Sequence, residues 1–269
     1  MMKKALSFFL IIIFVVAYTV GKCNKGADSV GKPNNGVDAE VEYTAIEIPV
    51  ISDKNTPHVQ VHNLAYTASY NRETRCPNWV AWHLTGEHAD GPCKRLNNFH
   101  EEERLTGIKA TLQDYKGSGW SRGHMCPAGD NKWDKKAMYE SFSLVNVCPQ
   151  NANLNSGLWN SFENDCRKWA RKYGDIYIVC GPVFMNREHE TIGKNKVVVP
   201  EAFFKVVLCM NGSPKALGII VRNTDGNRKR DLYYNTVDQV ERIVGMDFFP
   251  ALPDEIEEAV ESQADINMW

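Results

Sequence analysis

Arg122 and His124 stand two residues apart, with Asp130 six further on, inside the Gly- and Pro-containing segment DYKGSGWSRGHMCPAGDNKW at 114–133. Such a loop presents polar side chains on a scaffold rather than burying them. A guanidinium and an imidazole so placed offer a clamp for phosphoryl oxygens and a base for water, two of the three parts that hydrolysis of a phosphodiester requires. The third is a metal ion that stabilises the leaving oxygen. A lone histidine is more often structural, so His124 gains weight only through its neighbours.

A second segment, NVCPQNANLNSGLWNSFE at 146–163, begins as a strand, breaks at Pro149 and enters a helix near Leu154 or Asn155. Asn155 in that first turn has two readings. It is a helix N-cap, or its amide oxygen is a neutral ligand for a magnesium ion that otherwise keeps its waters. Glu163 and Arg167, four residues apart, are equally open: a solvated i, i+4 ion pair worth about 0.2–0.5 kcal/mol, or part of a site. On an ideal helix, residues 155 and 163 are separated by about 12 Å of rise and about 80° of rotation. That spacing places Glu163 outside the inner coordination shell of anything held by Asn155, where it acts through water.

These residues need a scaffold, and the sequence supplies one. Runs rich in β-branched and aromatic residues, VEYTAIEIPVI, NLAYTASYN, NWVAWHLT, SLVNVCP, DIYIVCGPVF, KVVVPEAFFKVVLCM and ALGIIVRN, predict strands. The last two are joined by NGSPK, which predicts a hairpin turn. Leu154, Leu158, Phe162, Cys166 and Trp169 recur at helical spacing over 154–173, and Gly174 follows as a C-cap. Shorter helices are expected near 236–244 and 253–262. The fold class is therefore α+β with a central, mostly antiparallel sheet and one long active-site helix. Trp79, Trp82, Trp159 and Trp169 have the spacing of core residues rather than of base-stacking platforms.

The chain has 269 residues, 43% of them hydrophobic, enough for one sizeable core. Its net charge of −2 excludes a broad basic surface, so any polyanion must be gripped by a local patch. The concentrated basic runs are RKWARK (167–172) and RNTDGNRKR (222–230), and at least one is expected to line the substrate path. Two lysines followed by an uncharged apolar run at 5–20 have the form of a signal peptide over 1–22. The alternatives are a retained anchor and lipid attachment at Cys23, for which Lys22 is a poor preceding residue. Residues 23–45 are expected to be a flexible tether, and 46–269 the catalytic domain. Behind an export signal the eight cysteines, at 23, 76, 93, 126, 148, 166, 180 and 209, are disulfide candidates of undetermined pairing.

WSRGHMCP followed by NVCPQNANLNSGLWNSFE resembles the DNA/RNA non-specific endonuclease family, and the likeness extends from NLAYTASYN to the VVVPEAFFKVVL run. The resemblance implies a ββα-metal finger beside the sheet, with His124 as general base, Asn155 as the direct protein ligand of magnesium, and Glu163 near metal-bound water. Manganese is a possible substitute. It further implies roles for Arg122 and Arg167 against phosphate, for Asn146 at the opening of the second strand, and for Gln150. Ser121 stands where the commoner form of the motif has Asp. An arginine that relatives draw from the segment corresponding to NNFHEEE has only His100 to match it, with His83 as a competitor.

What the resemblance implies is an exported, metal-dependent endonuclease that cleaves DNA and RNA with little sequence preference, leaves 5′-phosphates and needs no small-molecule cofactor. Membrane association would arise only through a lipid on Cys23. The competing readings are a catalytically silent nucleic-acid-binding or uptake protein, and an esterase or phosphatase built on the same finger.

Overall fold

The alternation of side chains along each strand sorts the core into two halves. A computed structural model describes residues 45–225 and 228–269. The expected signal peptide at 1–22, Cys23 and the tether, Ala45 apart, lie outside the described residues. The strands are β1 (Val50–Ile51), β2 (Val59–His62), β3 (Thr67–Asn71), β4 (Cys76–Thr85), β5 (Ser121–His124), β6 (Val147–Gln150) and β7 (Asp175–Val183). They continue with β8 (Thr191–Ile192), β9 (Val197–Val198), β10 (Ala202–Cys209), β11 (Lys215–Arg222), β12 (Tyr234–Asn235) and β13 (Met246–Asp247). Seven form one sheet in the order β12-β11-β10-β7-β4-β3-β2, and each neighbouring pair is antiparallel.

The helices are α1 (Gly86–Asp90), α2 (Leu112–Tyr115), α3 (Lys135–Glu140), α4 (Ala152–Leu154), α5 (Asn160–Tyr173), α6 (Val237–Val244) and α7 (Asp254–Glu261). On β4, Val80, Trp82 and Leu84 face one way and join Trp159 and Phe162 from the chain around α5. Trp79 and Ala81 face the other way and join Val237 and Val240 of α6, Phe248, and Val260 of α7. Period-two alternation thus covers both faces of the sheet, with α5 on one side and α6 and α7 on the other. The four tryptophans are core residues as expected, none more than 7% exposed.

Local chemistry ends the elements where the sequence signals it. Gly174, at φ 98°, closes α5. Thr236 and Gln239 form a capping box at the start of α6. The NGSPK turn joins β10 to β11 with Gly212 at φ 77°. Pro200, which has no N–H to donate, lies between β9 and β10 and divides the run at 196–210. The run at 41–51 yields only β1 among its described residues, because Ala45 adopts a positive φ of 58° and turns the chain.

The disulfide expectation is corrected. Cys76, Cys93, Cys126, Cys148, Cys166, Cys180 and Cys209 are all free thiols, and all but Cys93 are buried. They pack as small apolar side chains, a common use of cysteine in cores.

Candidate active site

β5 and β6 pair in the register that sets Gly123 opposite Cys148 and His124 opposite Val147. Glycine is needed at 123, since a Cβ there would lie 2.2 Å from Oε1 of Gln150. Asn146 is fully buried and spends its amide on the backbone. Its Oδ1 accepts from the N–H of Cys126, and its Nδ2 donates to the carbonyls of Cys126 and Ser141, each at 2.8 Å. It staples the chain leaving His124 to the start of β6.

His124 is 6% exposed. Its ring is flanked by Phe99 and Phe142, with centroids 5.0 and 4.9 Å away, and its buried Nε2 has no hydrogen-bond partner. Burial, reinforced by the charges of Arg95 and Arg122, pushes its pKa down to about 3. The imidazole is therefore neutral near neutral pH and holds a lone pair for a proton. The Arg122 guanidinium sits over the Phe99 ring, 4.3 Å from its centroid, which fixes that cation beside the imidazole.

The approach to α5 differs from an ideal helix. Asn151 is the N-cap, its Oδ1 accepting from the N–H groups of Asn153 at 2.9 Å and Leu154 at 3.1 Å. The capping role considered for Asn155 is thereby filled, and the Asn155 side chain makes no hydrogen bond within the described residues. Between α4 and α5 the chain makes a π-helical turn, Asn155–Trp159, with Gly157 at φ −101° and ψ −105°. The wider i, i+5 winding changes the angular offset between positions 155 and 163 from the ideal-helix value, and such turns gather at functional sites. Asn155 and Glu163 both line the same cavity. Burial raises the Glu163 pKa to about 7 against the opposing charges of Lys205 and Arg167, and its carboxyl makes no hydrogen bond within the described residues.

That cavity has a volume of about 930 Å³, and its wall includes His124, Arg122, Asn155, Glu163, Arg95 and Lys116. Three cations stand against one carboxylate there, so a chain of net charge −2 presents a locally positive pocket. A base, guanidinium groups, and an amide and a carboxylate without protein partners share one wall. The donors are hard oxygens, which suits an alkaline-earth ion that retains waters.

A family model for DNA/RNA non-specific endonucleases matches residues 44–255. The chain belongs to the DNA/RNA non-specific endonuclease family. Among the family's curated members it is 35% identical over 204 residues to the mitochondrial nuclease EXOG of Xenopus laevis, covering 70% of this chain and 57% of that protein. It is 33% identical to the mitochondrial endonuclease G of Bos taurus, covering 69% of this chain and 67% of that protein. A crystal structure of the EndoG/EndoGI complex superposes with a TM-score of 0.68 at 27% identity, covering 72% of this chain and 86% of that one. The chain spans less than two thirds of the length of the EXOG relatives it matches, for instance 60% of the Danio rerio protein.

Not every residue implied by the family likeness reaches the cavity. Arg167, expected on phosphate, donates from Nη1 to Oδ1 of Asp130 at 2.7 Å and from Nη2 to Oδ1 of Asn164 at 2.9 Å. Asp130 also accepts from Nε1 of Trp82 at 3.2 Å, so Arg167 ties α5 to the loop after β5 and is absent from the cavity wall. Gln150 is fully buried against Gly123 and absent from the cavity wall, and its Oε1 and Nε2 have no hydrogen-bond partner. Asn146 is a positioning residue for the same reason of burial. His100 stacks on Tyr139 at 4.1 Å, and His83 lies 2.8 Å from Asp175; neither is on the wall.

Neither basic run contributes to the wall. Arg171 is held by Asp90 and Arg230 by Asp165. Arg95 was missed in the sequence. It is a single arginine in the loop GPCKRLNNFH, a few residues before the segment where an arginine was sought, and nothing in its immediate sequence marks it. Phe99 and Phe142, which enclose His124, were equally silent.

Proposed function

We propose that this chain is an exported, metal-dependent endonuclease that hydrolyses DNA and RNA with little sequence preference and leaves 5′-phosphates. The observation that carries the reading is the convergence of His124, Arg122, Asn155 and Glu163 on one cavity, with Nε2 of His124 buried and free of any protein partner. Family membership supports the reaction class. Export rests on the lysines and apolar run that open the sequence, and the mitochondrial names belong to the relatives.

In this mechanism Arg122 and Arg95 hold the phosphoryl oxygens and orient the diester. His124, neutral and desolvated by Phe99 and Phe142, takes a proton from the attacking water. The water oxygen bonds to phosphorus as the bond to the 3′ oxygen breaks, and the departing oxygen is protonated from solvent. Asn155 would be the protein ligand of a magnesium ion, with manganese as a substitute, and Glu163 would hold its waters. Such an ion, when bound, supplies Lewis-acid stabilisation of the leaving oxygen. Arrival of an anionic substrate offsets the charges of Arg95 and Arg122, which strengthens His124 as a base when it is needed.

The test is digestion of plasmid DNA and of RNA, with and without EDTA, by the wild type and His124→Ala. Both substrates should be cut only with divalent metal, and the variant should lose roughly two to four orders of magnitude in turnover while still binding DNA. Binding without cleavage would leave a silent nucleic-acid-binding protein. Turnover of p-nitrophenyl phosphates alone would leave a small-substrate phosphoesterase.

A further inference from the structure

On the sheet face opposite the cavity, where α6 and α7 pack, five carboxylates lie close enough to interact: Asp238 and Glu241 of α6, Asp247 of β13, and Glu257 and Glu261 of α7. One carboxylate oxygen from each of Asp238, Glu241 and Glu261 lies within 4.8 Å of the other two. Among the described residues, no lysine or arginine forms a salt bridge with any of the five. Arg242, on α6, eases the charge on Glu241 but pairs with none.

Exposed acidic residues often gather without consequence, but Glu261 is different. It is 6% exposed, and its Oε1 is buried with no hydrogen-bond partner. Oε1 of Glu257 is likewise buried and unpartnered. A carboxylate hidden from water without a donor carries a substantial desolvation cost, and here its nearest polar neighbours carry the same charge. Glu241 is held in place, its Oε1 accepting from the N–H of Phe248 at 2.7 Å.

A cation resolves this arrangement. The ligand atoms are all carboxylate oxygens, which select a hard ion over zinc or copper. They come from two helices, with the Glu257 carboxyl as a neighbour, and a set of side-chain carboxylates on two separate elements suits the flexible six- to eight-fold shell of calcium better than the strict octahedron of magnesium. We propose that Asp238, Glu241 and Glu261 form a calcium site that clamps α7 onto α6. It is a stabilising site, separate from the cavity.

The experiment titrates calcium into the full-length chain, stripped with chelator, in the Asn155→Ala background so that the cavity contributes no metal signal. Calorimetry should show one calcium per chain with a Kd in the range of about 10⁻⁴–10⁻³ M, as for other carboxylate sites of modest charge ordering. At roughly tenfold excess over Kd the melting temperature should rise by about 3–6 °C. Adding Glu261→Gln should abolish both the binding heat and the rise. In the otherwise wild-type chain Glu261→Gln should leave magnesium-dependent nuclease activity unchanged. Asp238→Asn provides a second, milder variant with the same expected loss of calcium response if Glu261→Gln does not fold. Calcium binding that survives either substitution, or no binding at all to the parent, overturns the proposal.

Discussion

His124→Asn makes the burial of the imidazole measurable as a pH dependence of stability. In the folded chain the His124 pKa is pushed down to about 3 by burial and by Arg95 and Arg122, whereas in the unfolded chain it is near the ordinary value of about 6.5. A histidine depressed in this way favours the folded state fully above the unfolded pKa, and that contribution is lost as pH falls toward the folded pKa. At a pH of about 4.5, two units below the unfolded value, the loss is about 2–3 kcal/mol at roughly 1.4 kcal/mol per unit. Asparagine does not titrate, so the variant escapes it. Urea unfolding of both chains in EDTA, at pH about 7.5 and about 4.5, gives the stability difference at each pH, and titrations common to both chains cancel. The difference should move toward the variant by about 2–3 kcal/mol at the lower pH. A difference that does not change with pH would show that His124 titrates like an exposed histidine, and the argument for a desolvated neutral base would fall with it.

Two further outcomes rest on the Arg167–Asp130 pair and on the charges around the cavity. Asp130→Ala should destabilise the fold by about 3–5 kcal/mol, because it leaves the mostly buried Arg167 guanidinium, 11% exposed at its side chain, without its counter-charge. Arg167→Met in the same chain should recover most of that loss in urea unfolding, and a cost below about 1 kcal/mol for Asp130→Ala would deny the pair its anchoring role. With Arg95, Lys116 and Arg122 as the cavity cations, the slope of log K against log salt for duplex DNA should be about −3, and Arg95→Ala should make it shallower by about 1. The same variant should weaken binding to all sequences alike; a slope near about −8 would mean that a surface beyond the cavity holds the substrate.

Much of the fold is local chemistry and was legible in the chain. Period-two runs became the strands, apolar spacing and Gly174 placed the helix ending at Tyr173, and NGSPK formed its hairpin. The residue types of RGH and of the Asn155-to-Glu163 stretch pointed to the same cavity that the structure builds from them. What escaped depends on segments far apart in sequence, or on departures from ideal geometry that no periodicity records. The π turn at Gly157, between Asn155 and Glu163, is such a departure. The partnering of Arg167 with Asp130 across 37 positions could not be read from a helix-surface rule that looks four residues away. Whether a cation faces substrate or a buried carboxylate is decided by which loop folds against it. For the same reason Arg95, indistinct in its own segment, joins the site, and Glu261, an ordinary residue of an acidic helix in the sequence, becomes a buried carboxyl in want of a partner only once α7 lies against α6.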